Sequence, residues 1–303
     1  MTEETHNIVN HKIKETFSGH TIYDGFGILD RGIIEGIYWI TNDEYHGSEG
    51  ISKSGIVKVL QSPKHYWANY LDPDREKTDF SAGHFVIGSA SHKYVLEPNT
   101  FFEEYVVLST ELSSMSKNRK DYKEAVIKYK EQGLTALTLK MMKVPVNVRN
   151  SVVAHEKANE LVTDGRAEMS FYWIDEDTGV LCKCRPDYWI PNIAVPDLKT
   201  TATDARADAF SKTCASYDYH IQAAFYSDGV AALTNEKLDM PFIAVEKEPP
   251  YACAVYTIDQ FGVNKGRSDY KRALETFSRC LELDDWPSYP PKVTTISLPH
   301  WKK

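Results

Sequence analysis

No run of about 18 uncharged apolar residues occurs in the 303-residue chain, so no segment of it is built to cross a bilayer as a helix. The opening MTEETHNIVNHKIKE lacks a charged-then-apolar leader, and the expectation is a cytoplasmic protein without membrane contact. Cysteine is scarce. Five residues, an odd number, argue against a disulfide framework. Cys182 and Cys184 are spaced C-x-C and the other three stand alone, short of the paired ligands that iron–sulfur and zinc sites use. Positive charge is also in deficit: 35 Lys and Arg against 43 Asp and Glu leave a net charge of −8. That balance disfavours a broad basic surface, but it allows a local basic groove and a carboxylate site that a metal neutralises. Internal repeats are absent.

What is present is ample material for a core, 42% hydrophobic with 12% aromatic residues, although length alone leaves one or two domains open. The organising stretch is CKCRPDYWIPNIAVPDLKTT, Cys182 to Thr201. It predicts two short strands joined at Trp189 to Asn192, each with a carboxylate after a proline: Pro186-Asp187 and Pro196-Asp197. Strand alternation puts Asp197 and Lys199 on one face and turns Leu198 to the core. Two carboxylates and a lysine at one sheet edge suit a hard divalent cation, which keeps waters and shares its shell with phosphate. A neighbouring ammonium would orient or deprotonate a water for attack on phosphorus.

Pro186-Asp187, nine residues, then Asp197-Leu198-Lys199 resembles the PD-(D/E)-x-K signature of restriction-endonuclease-like nucleases. Three further matches accompany it in order. Gln222 and Tyr226 match the Q-x-x-x-Y element of the RecB-like branch, and His92 in GSASHKYVLEP falls where that branch places a histidine metal ligand. The run YHGSEGISKSGIVKVLQSPKHYW is similar to the opening of the exodeoxyribonuclease VIII (RecE-type) nuclease domain. This resemblance implies an α/β (α+β) restriction-endonuclease-like core with a mixed central sheet flanked by helices. It implies a Mg²⁺-dependent exodeoxyribonuclease, with Mn²⁺ able to substitute, acting on double-stranded DNA from free ends in phage-type recombination. His92, Asp187, Asp197 and the Leu198 carbonyl would hold the metal, Lys199 would orient the attacking water, and Gln222 and Tyr226 would position the scissile strand. A homo-oligomer, as a ring around DNA, and a single-strand annealing protein as partner are also implied. The alternative is a catalytically silent nucleic-acid-binding or recombination-partner protein on the same fold; intact Asp187, Asp197 and Lys199 speak against it.

Along the chain, residues 1–37 read as a flexible arm, 38–285 as the nuclease domain with a helical lead-in over 38–79, and 286–303 as an extended tail. Ser62 is an N-cap with Pro63 at the first helical position. His84 and His92 share approximately one helix face, and only His92 fits the family position. Residues 101–108, FFEEYVVL, predict a strand, and the lysine-rich 109–130 a helix that is either a solvated face or a phosphate contact. A hairpin spans 167–189 across Asp175 to Gly179, with Glu168 at its start as either a site residue or a strand-end carboxylate facing water. Helices are expected over 146–162, from Asp204 with a break near Cys214 to Asp218 and on through Leu233, and over 264–283. Two more strands cover 240–246 and 251–258. Without the resemblance, Gln222 and Tyr226 at i, i+4 serve equally to bond a phosphate, to position Lys199 or to anchor the helix.

Overall fold

In the computed structural model, which describes residues 13–25, 34–75, 83–202 and 204–298, strands are gathered between helices as a mixed α/β arrangement. The largest sheet has five strands, in the order Ile13–Phe17, His20–Asp24, Gly36–Trp39, Ser170–Ile174 and Leu181–Cys184. Its pairings are antiparallel except between His20–Asp24 and Gly36–Trp39. A second sheet joins Asp197–Thr201 in parallel to Phe242–Glu246, which pairs antiparallel with Cys253–Tyr256. The parallel pair needs a crossover, and the helices Ala207–Ser216 and Tyr219–Thr234 provide it.

The helix Tyr219–Thr234 packs on the five-stranded sheet, and Lys53–Gln61 and Gln260–Leu283 pack against that helix and each other. Ile56, Phe225, Val230, Leu274 and Phe277 meet Phe171, Trp173, Cys182, Cys184 and Trp189 in the main core. Close approach depends on glycine at two places. A Cβ on Gly229 would collide with the Trp173 ring, and one on Gly266 with the His220 carbonyl. The other face of the Asp197–Thr201 strand buries Leu198 with Val148, Val152, Ile243 and Val245. No described helix is long and apolar enough to cross a membrane.

Several expectations are met. Ser62 caps the next helix by accepting from His65 N, with Pro63 first in that helix. The Asp175–Gly179 turn closes the Ser170–Ile174 and Leu181–Cys184 hairpin, with Gly179 N donating to the Asp175 carbonyl at 2.8 Å. Cys182 and Cys184 pack fully buried in that strand, and all five cysteines are free thiols. The tail carries no helix or strand from 286 to 298.

Others are corrected. The flexible arm expected over 1–37 contains two strands of the large sheet and the start of a third within its described residues, and Ile22 and Ile37 are core residues. Residues 1–12 and 26–33 of that arm lie outside the described part. FFEEYVVL divides into the helix Phe101–Glu104 and the strand Tyr105–Val107, because Phe101 turns inward against Tyr94 and Tyr105 while Phe102 stays exposed. The helix expected from 146 starts at Leu139 and runs through Pro145, capped by Thr138. The strand expected over 179–189 breaks after Cys184, and Tyr188–Trp189 pairs instead with Arg166–Ala167.

Candidate active site

Asp187 stands in the break between Leu181–Cys184 and Tyr188–Trp189, where the chain leaves one sheet for another. Asp197 opens the next strand, anchored by its N–H to the Pro241 carbonyl at 2.9 Å. The two aspartates therefore meet from different sheets rather than from adjacent strands of one. The residue after Asp197 links them: Leu198 N donates to Asp187 Oδ2 at 2.8 Å. His92, on the helix Gly83–Leu96 that packs beside the Asp197–Thr201 strand, brings Nδ1 to 3.2 Å from the same Asp187 oxygen. His84 lies on that helix too; its side chain is outside the described part.

Lys199 extends on the same side of its strand as Asp197, and its Nζ lies 2.6 Å from Asp197 Oδ2 and 4.6 Å from the centroid of the Tyr219 ring. Gln222 donates its amide Nε2 to Asp197 Oδ1 at 2.5 Å. The amide thus orients the carboxylate, and of the roles open to it from sequence it takes none toward Lys199. Tyr226, one turn on, is partly buried against the core, and burial pushes its hydroxyl well above the usual phenol range.

Burial raises the Asp197 pKa to about 6, the Asp187 charge adding to the effect and Lys199 opposing it. For Asp187, burial acts upward too, but His92, Lys199 and the Leu198 N–H outweigh it and the net shift is down. Burial would lower the His92 and Lys199 pKa values; the neighbouring carboxylates overcome it, so both are raised. Lys199 is consequently an ammonium at neutral pH, suited to donate a hydrogen bond rather than to take a proton. Glu168 joins this group. It adopts a left-handed conformation, φ 54°, between two short strands, and its N–H donates to the Asp187 carbonyl at 3.2 Å. Burial, reinforced by Asp187, carries its pKa to about 8.

Three carboxylates in one neighbourhood, two with raised pKa values, constitute surplus negative charge of the kind a divalent cation offsets. Asp197 Oδ2 is buried and receives no hydrogen bond of good geometry despite the nearby ammonium. In donor type and in charge the residues fit a hard cation. No trio of His, Cys, Asp or Glu among the described residues is gathered tightly enough to hold an ion alone. Backbone, water or phosphate oxygens would have to complete the shell, as is usual for Mg²⁺.

Two neighbours were not foreseen. Arg185, adjacent to Pro186-Asp187 in the sequence, donates Nε to Ser170 Oγ at 2.8 Å and Nη2 to the carbonyls of Ile40 and Thr41 at 3.0 and 3.2 Å, tying the N-terminal segment to the site. Lys53 reaches toward Tyr219 from the start of the helix Lys53–Gln61. Only its place in the family-like SKSG run marked it.

Comparison with known proteins bears on the whole arrangement. The family model described as a PDDEXK-like domain of unknown function (DUF3799) matches residues 52–298. A candidate exonuclease from Eubacterium rectale, known from a crystal structure, is similar at a TM-score of 0.59 with 16% identity, over 87% of this chain and 97% of that one. A phage-related exonuclease from Haemophilus somnus 129PT aligns over 78% of this chain and 97% of its own, at 12% identity and a TM-score of 0.33. No curated protein matches. The first of these structures shares the fold; the second is too distant to add to the argument. With the family model spanning most of its length and the aspartates, lysine and glutamine assembled as above, the chain belongs to the PDDEXK-like family DUF3799.

Proposed function

We propose that the protein is a metal-dependent deoxyribonuclease that hydrolyses DNA phosphodiester bonds, working as an exonuclease from duplex ends. The observation that carries this reading is the buried meeting of Asp187, Asp197 and Lys199, with His92 on one carboxylate and Gln222 on the other. A protein that merely binds DNA gains nothing from carboxylates that repel phosphate. His92, Asp187, Asp197 and the Leu198 carbonyl would hold Mg²⁺ or Mn²⁺, which supplies positive charge against that developing on the phosphate. Lys199, kept protonated by its two carboxylate neighbours, donates a hydrogen bond that orients the attacking water. Gln222 fixes the Asp197 carboxylate so that its second oxygen faces the site. Tyr226, one turn along the same helix face, would help position the scissile strand.

Action from ends is supported by the resemblance to RecE-type enzymes and by the exonuclease name of the Eubacterium rectale neighbour. The same resemblance supports a homo-oligomeric ring that a duplex end must thread. With Mg²⁺, linear duplex DNA is expected to be degraded while covalently closed circular DNA of the same sequence survives. Efficient nicking of the circle by pure protein would overturn the exonuclease reading and leave the active site standing. A monomer by light scattering at assay concentration would overturn the ring alone.

A further inference from the structure

Beside Lys199 stand a second ammonium and an exposed aromatic ring that the hydrolytic scheme does not use. Lys53 Nζ donates to the backbone carbonyl of Tyr217 at 2.6 Å, and no carboxylate pairs with it among the described residues. It lies 5.9 Å from the centroid of the Tyr219 ring, the ring that Lys199 Nζ approaches to 4.6 Å. Two ammonium groups thus flank one aromatic side chain, and only Lys199 has a counter-charge in contact. The consequence is visible in Lys53 itself: burial, aggravated by Lys199, draws its pKa down to about 8. A neutral carbonyl leaves most of that charge uncompensated, whereas a phosphate would compensate it.

The aromatic element is a stack of three rings. Phe242, buried in the strand paired with Asp197–Thr201, lies 5.4 Å from Tyr219 with planes 15° apart, and Tyr219 lies 5.8 Å from Tyr217 at 21°. Tyr217, in the break between the two crossover helices, remains 62% exposed. A ring ordered by stacking yet left in water adds little to the core. What it offers is a rigid apolar face at the edge of the catalytic cluster, parallel to rings already rooted in the protein.

Resting on the reading of this site as a DNA hydrolase, we propose that Lys53 and Tyr217 form a nucleotide subsite beside the scissile phosphate. The base stacks on Tyr217, and the phosphate of the same nucleotide pairs with the Lys53 ammonium. Stacking accepts any base because every base has a π-face, so the subsite positions a strand without reading its sequence. Lys53 and Tyr217 are positioning residues in this scheme, and the chemistry remains with Lys199 and the aspartates.

The test measures kcat and KM on end-labelled linear DNA with Mg²⁺, using intact strands and strands carrying an abasic nucleotide at successive positions next to the first bond cleaved. Tyr217→Ala is expected to raise KM roughly 5- to 150-fold on intact DNA, the range of one base–aromatic stack, with kcat little changed. At one abasic position that difference from wild type should vanish, because the base it depends on is gone. Tyr217→Phe, which keeps the ring, should behave as wild type. Lys53→Met should raise KM and flatten the dependence of log(1/KM) on log salt by about 0.7 to 0.9, the slope contributed by one phosphate contact. Unchanged KM in both variants, or a Tyr217→Ala penalty equal on intact and abasic DNA at every position, would overturn the subsite in favour of a loop-holding role. Wild-type protein that leaves DNA intact with Mg²⁺ and with Mn²⁺ would overturn the nuclease reading, and the subsite with it.

Discussion

Asp197 and Asp269 are both nearly fully buried aspartates, 2% and 5% exposed, and both touch a lysine, yet their electrostatics run in opposite directions. Asp269, on the helix Gln260–Leu283, is held by Lys265, by Arg272 Nη2 at 3.0 Å and by His220 Nε2 at 3.6 Å. Burial would raise its pKa, but these groups win and the shift is down. Around Asp197 burial and the Asp187 charge outweigh Lys199 and, more weakly, His92, and the pKa rises to about 6. The first arrangement resolves its charge and locks a helix. The second keeps a conflict of charge with burial, the contrast that the proposed cation site would make with a structural ion pair.

The largest effect expected from breaking this contrast is on catalysis. Lys199→Ala should reduce DNA cleavage at least about 100-fold, the low end for a positioned acid–base group, while folding and divalent-metal binding persist. Single-turnover assays beside a metal titration check it, and wild-type turnover would remove Lys199 from the reaction. Next come the ligands. Asp187→Asn and Asp197→Asn should each weaken Mg²⁺ or Mn²⁺ affinity by calorimetry, with His92→Ala weakening Mg²⁺ less, because anionic oxygens suit a hard cation better than imidazole does. Unchanged affinity in both aspartate variants would refute the assignment.

Smaller effects concern stability and sharpen the same comparison. Asp269→Asn should destabilise the protein at pH 7 by roughly 1 to 3 kcal/mol, the range for losing hydrogen bonds to a buried charge. Because the folded-state pKa of Asp269 lies below its unfolded value, its contribution is complete above that unfolded value, near pH 4, and is lost as pH falls through the folded one. Asp197 carries the reverse sign in metal-free protein: its folded-state pKa is raised, so its contribution is present below the unfolded value and declines as pH rises through about 6. Asp197→Asn should therefore lower the melting temperature of metal-free protein at pH 7 less than Asp269→Asn does, the loss that remains coming from Lys199, whose ammonium the carboxylate supports. A clear fall there, equal to that of Asp269→Asn, would mean that both aspartates are structural.

Much of this was legible in the sequence where local chemistry decides. Ser62-Pro63, the Asp175–Gly179 turn, the interrupted helix pair after Thr201 and the D-x-K alternation all follow from capping, turn and strand rules acting within a few residues. Of the N-terminal strands, Ile13–Phe17 and His20–Asp24 form a local hairpin across Ser18-Gly19, which is hidden in the sequence by their many polar residues, whereas Gly36–Trp39 finds its antiparallel partner only in Ser170–Ile174, far along the chain. Asp187 was placed on a continuous strand because nothing local shows that Tyr188–Trp189 leaves for Arg166–Ala167. The aspartates, Lys199 and His92 could be named from their order, but their pairing could not. That Gln222 serves Asp197, and that Lys53 arrives next to Tyr217 from 164 residues away, are products of helix packing. Glu168 was visible only as a carboxylate at a strand start; its proximity to Asp187 depends on a left-handed residue between strands.

The central claim is that the conflict at Asp187 and Asp197 exists to hold a metal that, with Lys199, hydrolyses DNA. Release of nucleotides from end-labelled linear duplex tests it most directly, with wild type and Lys199→Ala compared in Mg²⁺ and in chelator. Labelled product is predicted from wild type in Mg²⁺ alone. Equal release in chelator, or from Lys199→Ala at the wild-type rate, would contradict the account.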